Sequence, residues 1–291
     1  MQRHVFLLAM IIGAAPLAAQ EPQCNNIPFP GATAACNTAV DGVRAFYPLA
    51  GMIVTGGNPV LGTARATGGL GHLTLTARVN GIKAALPDPT AANQSVVPSS
   101  FNGVVPAPMV EGAVGLLKGL GGGLLAVDVL GSALVLPTGI KNLTVDSNAT
   151  HISDAALGIG YGVRVGVLNG GFPIPAVSVS MDLRSDSYRA VAGWKFVLLD
   201  VAAGIGVDRY KSDNTNIRFY DGPTTIRTVV INPTNTRALV FVNGGLSLAA
   251  VKLVGEIGLQ AGKDQAFVTQ FSDFDPKAAH VFGGLGIRFG F

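Results

Sequence analysis

From Gly69 onward, apolar side chains recur at every second position in a series of short segments. Leu73, Leu75, Ala77 and Val79 alternate with Thr74, Thr76, Arg78 and Asn80. Leu157, Ile159, Tyr161, Val163, Val165 and Val167 oppose Gly158, Gly160, Gly162, Arg164 and Gly166. Val177, Val179, Met181 and Leu183 oppose Ser178, Ser180, Asp182 and Arg184. Strand side chains point to opposite faces in turn, so each segment predicts a strand with one apolar face and one small or polar face. Further strands are expected over 110–118, 124–135, 188–198, 199–210, 237–248 and 251–261. The last is the C-terminal run, in which Val281, Leu285, Ile287, Phe289 and Phe291 share one parity and Gly284, Gly286, Arg288 and Gly290 the other. The pattern gives ten strands and admits twelve.

The links between these segments alternate in length. Tight ones fall at 119–123, 169–173, 198–199 and 249–250, and long ones at 86–108, 136–154, 211–236 and 262–278. Only the turn at 185–187 is a short member of the long set. Short turns on one rim and long loops on the other are expected of a barrel that crosses a bilayer. An even strand count puts both ends of such a barrel on one side. The expected fold is therefore all-β: a transmembrane up-and-down antiparallel β-barrel of about ten strands, with an N-terminal plug-like or periplasmic segment.

Residues 1–19 carry Arg3 and His4, an apolar run and the small pair Ala18-Ala19, the pattern of a secretory signal peptide. Residues 20–68 differ from the strand-rich remainder of the chain: alternation is weak, Pro28, Pro30, Pro48 and Pro59 interrupt, and a short helix is expected around 35–46. Both cysteines, Cys24 and Cys36, lie here. In an oxidising compartment they are expected to pair as a staple worth about 3 kcal/mol in the chain-entropy account. A redox pair would want Cys-x-x-Cys spacing, which is absent. The barrel is assigned to residues 69–291.

Composition narrows the class further. Mean hydropathy is +0.44, yet no run of about 18 apolar residues comes after the leader, which argues against membrane-spanning helices. High apolar content without a long run fits lipid-facing strands, whose alternation dilutes the signal. The net charge of +3 is too small to argue for nucleic acid. A soluble secreted β-barrel is the competing fold.

Signal peptide, alternating strands, alternating loop lengths and a terminal Phe291 preceded by Phe289 and Ile287 together resemble bacterial outer-membrane β-barrel proteins. The resemblance covers residues 69–291 and is specific for the class rather than for a member. It implies residence in outer-membrane lipid. It also implies insertion by the barrel-assembly machinery, which would read Ile287, Phe289 and Phe291. The stretch Gly57-Asn58-Pro59-Val60-Leu61-Gly62-Thr63-Ala64 is similar to the Gly/Asn-Pro-rich hatch of outer-membrane hydrocarbon transporters, which are longer and usually read Asn-Pro-Ala.

With the greasy parity outward, the other parity lines the lumen. That face carries Arg78, Glu111, Asp128, Arg164, Asp182, Arg184, Arg189, Lys195, Asp200, Asp208, Lys252, Glu256 and Arg288, seven basic and six acidic groups. Such a balance predicts ion pairs in a narrow barrel rather than a pore that selects by charge. Gly158, Gly160, Gly162, Gly166, Gly204, Gly206, Gly284, Gly286 and Gly290 share that face. Glycines in strands mark bends or close approach, so residues 20–67 are a candidate plug packed on a glycine-lined wall.

The Gly158-x-Gly-x-Gly162 run lies within a strand, not before a helix, and no phosphate loop occurs. No cofactor is expected, and His72, His151 and His280 form no metal cluster in the sequence. The leading functional expectation is a passive channel or carrier for small solutes, apolar or weakly polar ones included, with no enzymatic activity. A surface enzyme resembling the omptin-like proteases is the alternative, with His151 and Asp154, or Asp264, Asp273 and Asp275 near His280, as its rim candidates. A structural or adhesive role through the long loops is a third.

Overall fold

The computed structural model describes residues 22–27, 30–88, 91, 94, 96–121, 123–135, 157–183, 186–220, 226–273, 275 and 277–291. The expected signal peptide, Arg184, His151 and Asp154 lie outside the described residues. A 3-10 turn, Pro22–Cys24, leads into helix α1 (Pro30–Thr55). The strands are β1 (Leu73–Pro87), β2 (Ser99–Leu117), β3 (Ala126–Val135), β4 (Leu157–Asn169), β5 (Ala176–Asp182), β6 (Ser187–Lys195) and β7 (Leu199–Lys211). They continue with β8 (Thr215–Tyr220), β9 (Ile226–Ile231), β10 (Thr234–Leu248), β11 (Val251–Gln260) and β12 (His280–Gly290).

Ten of these strands close into one antiparallel barrel in the order β1-β12-β11-β10-β7-β6-β5-β4-β3-β2. The seam joins the first and last strands in register from Thr74 opposite Gly290 to Ile82 opposite Phe282. It is finished by reciprocal backbone bonds between Leu73 and Phe291, at 3.0 and 2.8 Å. Closure matters because it leaves no unpaired sheet edge. The two strands beyond ten are real but stay out of the wall. They form a separate hairpin, β8–β9, within the long link after β7, while β7 and β10 pair directly beneath it from Thr234 opposite Lys211.

Alternation carries through to the surface. Outward residues such as Leu75, Val79, Val129, Tyr161, Ile205, Ile257 and Leu285 are exposed, Leu285 by 74 %. Their inward neighbours Thr76, Arg78, Asn80, Asp128 and Arg164 are buried. Among the described residues no helix is long and apolar enough to cross a membrane.

The lumen departs from the expected small or polar lining. Near the long-loop rim it is apolar: Ile82, Ala84, Met109, Leu134, Leu239, Phe241 and Phe282 point inward and bury Leu49, Met52 and Ile53 of α1. This collar explains why the helix runs well beyond the expected 35–46. Pro48 lies inside it, and a proline costs a helix an N–H bond. Burial of the apolar side chains just after Pro48 offsets that cost, each worth about 1.5–3 kcal/mol.

The ends of the barrel share the short-turn rim, as strand parity required. The first described residues do not. Cys24 and Cys36 form the expected disulfide and pack on Ile217, Phe219 and Ile231 of the β8–β9 hairpin, at the long-loop rim. At the other end of the segment, Arg65 reaches the Gly170 carbonyl in a short turn and Thr67 bonds Asp128. The segment before β1 therefore runs the length of the lumen.

Candidate functional site

The lumen and the segment inside it form one polar structure below the collar. α1 ends at Thr55 and is capped by Gly56, whose φ of +61° is the left-handed conformation glycine adopts without a Cβ penalty. A helix C-terminus leaves carbonyls without helical donors and carries partial negative charge. Here the barrel wall supplies the missing donors. Asn80 Nδ2 donates to Ile53 O at 2.9 Å, and Arg189 donates to Gly56 O and Gly57 O at 3.0 and 2.8 Å. Arg78 donates to Thr55 O and Asn58 O at 3.4 and 3.2 Å.

The next two N–H groups meet an acceptor of the opposite kind. The Glu256 carboxylate accepts from Gly57 N at 3.1 Å and Asn58 N at 2.9 Å. Glu256 also faces Arg78 at 3.4 Å, and Arg78 pairs with Glu111 at 2.7 Å. Asp208 pairs with Arg189 and accepts from the Tyr210 hydroxyl at 2.6 Å. Charges this deeply buried persist only when paired and hydrogen-bonded.

The Asn-Pro stretch forms a tight turn against β10, β11 and β12, beside Glu256. Asn58 Oδ1 accepts from Val60 N, closing an Asx turn, and its Nδ2 donates to Thr63 O. Asn243 Oδ1 on β10 receives Asn58 Nδ2 and Gly62 N, both at 3.1 Å. Arg288 donates to Leu61 O at 2.9 Å, and Lys252 donates to Gly62 O at 3.2 Å while pairing with Asp200. Lower still, Asp128 accepts from Arg164 at 2.6 and 2.9 Å and from Thr67 N at 3.1 Å. From the collar to the short-turn rim, the wall's side chains bind the backbone of the segment.

Arg78, Glu111, Asp128, Arg164, Asp208, Lys252 and Glu256 are thus brought together as buried lumen groups, with Asp182 and Arg288 partly buried. Lys195 is not among them. It is the last residue of β6, and the chain turns at the rim there, so its side chain is exposed. Asn80, Asn243, Gln260 and Tyr210 are the wall residues that counting charges missed. They are uncharged, and their signal was inward parity alone.

The glycines act differently from a wall for the plug. A Cβ at Gly204 would strike Phe241, one at Gly206 would strike Arg189, and one at Gly286 would strike Arg78. They make room for large lumen side chains on neighbouring strands, as a narrow barrel requires. Gly166 does approach the segment, at Ala66.

The rim carboxylates are engaged: Asp264 pairs with Lys277 at 3.0 Å, and Asp273 accepts from Ser272 Oγ at 2.9 Å and from Ser99 N at 3.5 Å. Asp275 accepts from Lys277 N at 2.8 Å. Among the described residues no group of three His, Cys, Asp or Glu is placed to hold a metal ion.

No family model matches the chain, and no curated protein matches it in sequence. Solved structures do resemble it. The N-terminal β-barrel domain of Pseudomonas aeruginosa OprF aligns at 9 % identity and a TM-score of 0.28, over 77 % of this chain and 99 % of that one. The translocator domain of the autotransporter NalP from Neisseria meningitidis aligns at 11 % identity and a TM-score of 0.35, over 86 % and 97 %. The outer membrane protease OmpT from Escherichia coli aligns at 11 % identity and a TM-score of 0.32, over 76 % and 95 %. The likeness is to outer-membrane β-barrels, and it is one of fold.

Proposed function

We propose that this chain is an integral outer-membrane β-barrel acting as a gated passive channel or carrier for small solutes, shut at rest by its own N-terminal segment. The observation that carries the reading is the lumen occupied from rim to rim by residues bonded to the wall through Arg78, Arg189, Asn243 and Glu256. A bilayer location is supported by the apolar outward face of a closed barrel whose charges are buried inside. The short-turn rim then faces the periplasm and the long loops face outward. In that setting the terminal strand, with Ile287, Phe289 and Phe291, is the part the assembly machinery would read.

The collar bears on the solute. Its inward Ile82, Met109, Leu134, Phe241 and Phe282 would contact whatever replaced the helix, which favours apolar or weakly polar molecules over ions. Below it, acidic and basic groups pair with one another, so neither sign dominates the path.

Planar-bilayer recording tests the proposal. The full chain should conduct rarely, and a variant lacking residues 22–67, shown to be folded by heat-modifiable migration, should conduct steadily. A folded truncated barrel that stays silent, together with unaltered solute uptake in a deletion strain, would refute it.

A further inference from the structure

α1 is one helix with two surroundings. Ala32, Cys36, Val40 and Val43 pack outside the lumen on Ile217, Phe219 and Ile231 of the β8–β9 hairpin. Leu49, Met52 and Ile53 fill the collar inside. Six residues separate Val43 from Leu49, about 9 Å of helix, so the two contacts belong to one short rod. Pro48 lies between them and has no N–H to give to the preceding turn, so bending there breaks no helical hydrogen bond of its own. Asp41 adds a polar clasp, accepting from Val268 N and Thr269 N at 3.0 and 2.7 Å.

The hairpin has no part in closing the barrel, because β7 and β10 pair with each other beneath it. Its buried residues Ile217, Phe219 and Ile231 all belong to the cluster that grips the outer half of α1. A two-stranded hairpin is marginal by itself. Its apolar face is covered by this helix, and the helix is held by that face.

We propose that the β8–β9 hairpin is the outer anchor of the plug. Its grip on the outer half of α1 holds the lumenal half in the collar, and releasing that grip at the long-loop rim frees the helix from the collar, the step with which opening of the lumen begins. This rests on the gated-channel reading. It places control of the gate on the side of the long loops, away from the ion pairs that hold the plug's lower end.

Two readouts on the full-length protein separate this proposal from that reading: amide exchange at residues 49–55 and open fraction in planar bilayers. Phe219→Ala, folded by heat-modifiable migration, should raise both about tenfold or more, the change that about 1.4 kcal/mol of lost anchoring produces. Phe219→Leu, which keeps most of the apolar contact, should leave both near the wild-type value. Exchange at 49–55 that is unaltered in folded Phe219→Ala overturns the anchor, whatever the current. Raised exchange without current supports the anchor and counts against the channel. Ile217→Ala provides the same test if Phe219→Ala does not assemble. Failure of both to form a barrel also overturns the proposal, since the hairpin would then be part of closure.

Discussion

Replacing Glu256 with alanine removes the one acceptor that meets two successive N–H groups just past the end of α1. The carboxylate accepts from Gly57 N at 3.1 Å and Asn58 N at 2.9 Å, and its side chain is fully buried. A hydrogen bond to a charged group contributes about 1.5–3 kcal/mol, so losing two loosens the turn by about 3–6 kcal/mol. Stranding a buried partner would cost a further about 3–5 kcal/mol, but Arg78 keeps Glu111 at 2.7 Å and escapes most of that. Glu256→Gln retains one acceptor and should lose about half as much, about 1.5–3 kcal/mol. Because about 1.4 kcal/mol is a factor of ten, amide exchange at Gly57 and Asn58 should quicken by about 10²- to 10⁴-fold in the alanine variant. The glutamine variant should fall between it and the wild type. Mass-spectrometric exchange in detergent reads this directly, with β4 amides as the internal standard for an intact barrel. Exchange at those two amides that stays within about threefold of wild type in Glu256→Ala would show that the wall does not hold the segment.

Two other perturbations address separate layers. Asp128→Leu should strand the buried Arg164, now bonded at 2.6 and 2.9 Å, and destabilise the barrel by about 3–5 kcal/mol. Adding Arg164→Met should recover much of the loss in the temperature at which the heat-modifiable band converts. A double variant no more stable than the single one refutes the pairing argument. Cys24→Ser opens a loop of sequence separation 12, worth about 3 kcal/mol. Limited proteolysis should then cut the outer cap sooner while the barrel keeps its gel mobility, and simultaneous loss of the barrel would contradict a staple confined to the cap.

Period-two alternation made the wall legible because each strand has lipid-like exposure on one side and confinement on the other. Leu75, Val79 and Leu285 face out and Arg78, Arg164 and Glu256 face in, as their parity requires. The same rule lost accuracy at two places. At Lys195 the strand stops, and parity no longer says where the side chain goes. At Phe282 and Phe241 the inward face is apolar because a helix lies against it, and the strand pattern holds no record of that helix. The glycines were legible as places of close approach, but not what approaches. Gly206 answers to Arg189 on the neighbouring strand, a matter of cross-strand register that the pattern of its own strand does not carry.

The wall was written in local pattern: ten paired strands, a seam between the first and the last, and a lumen of balanced charge. Those properties come from periodicity and link length, which each segment carries within itself. The direction of the segment before β1 was settled instead by long-range contacts. Nothing local distinguishes a chain lying beneath a barrel from one that threads it. The choice is made by partners contributed from separate strands, Arg78 and Arg189 for the carbonyls, Glu256 for the amides, and Phe219 for the cap. Burying those charges with that backbone satisfies both, and a threaded lumen is the arrangement that brings them together.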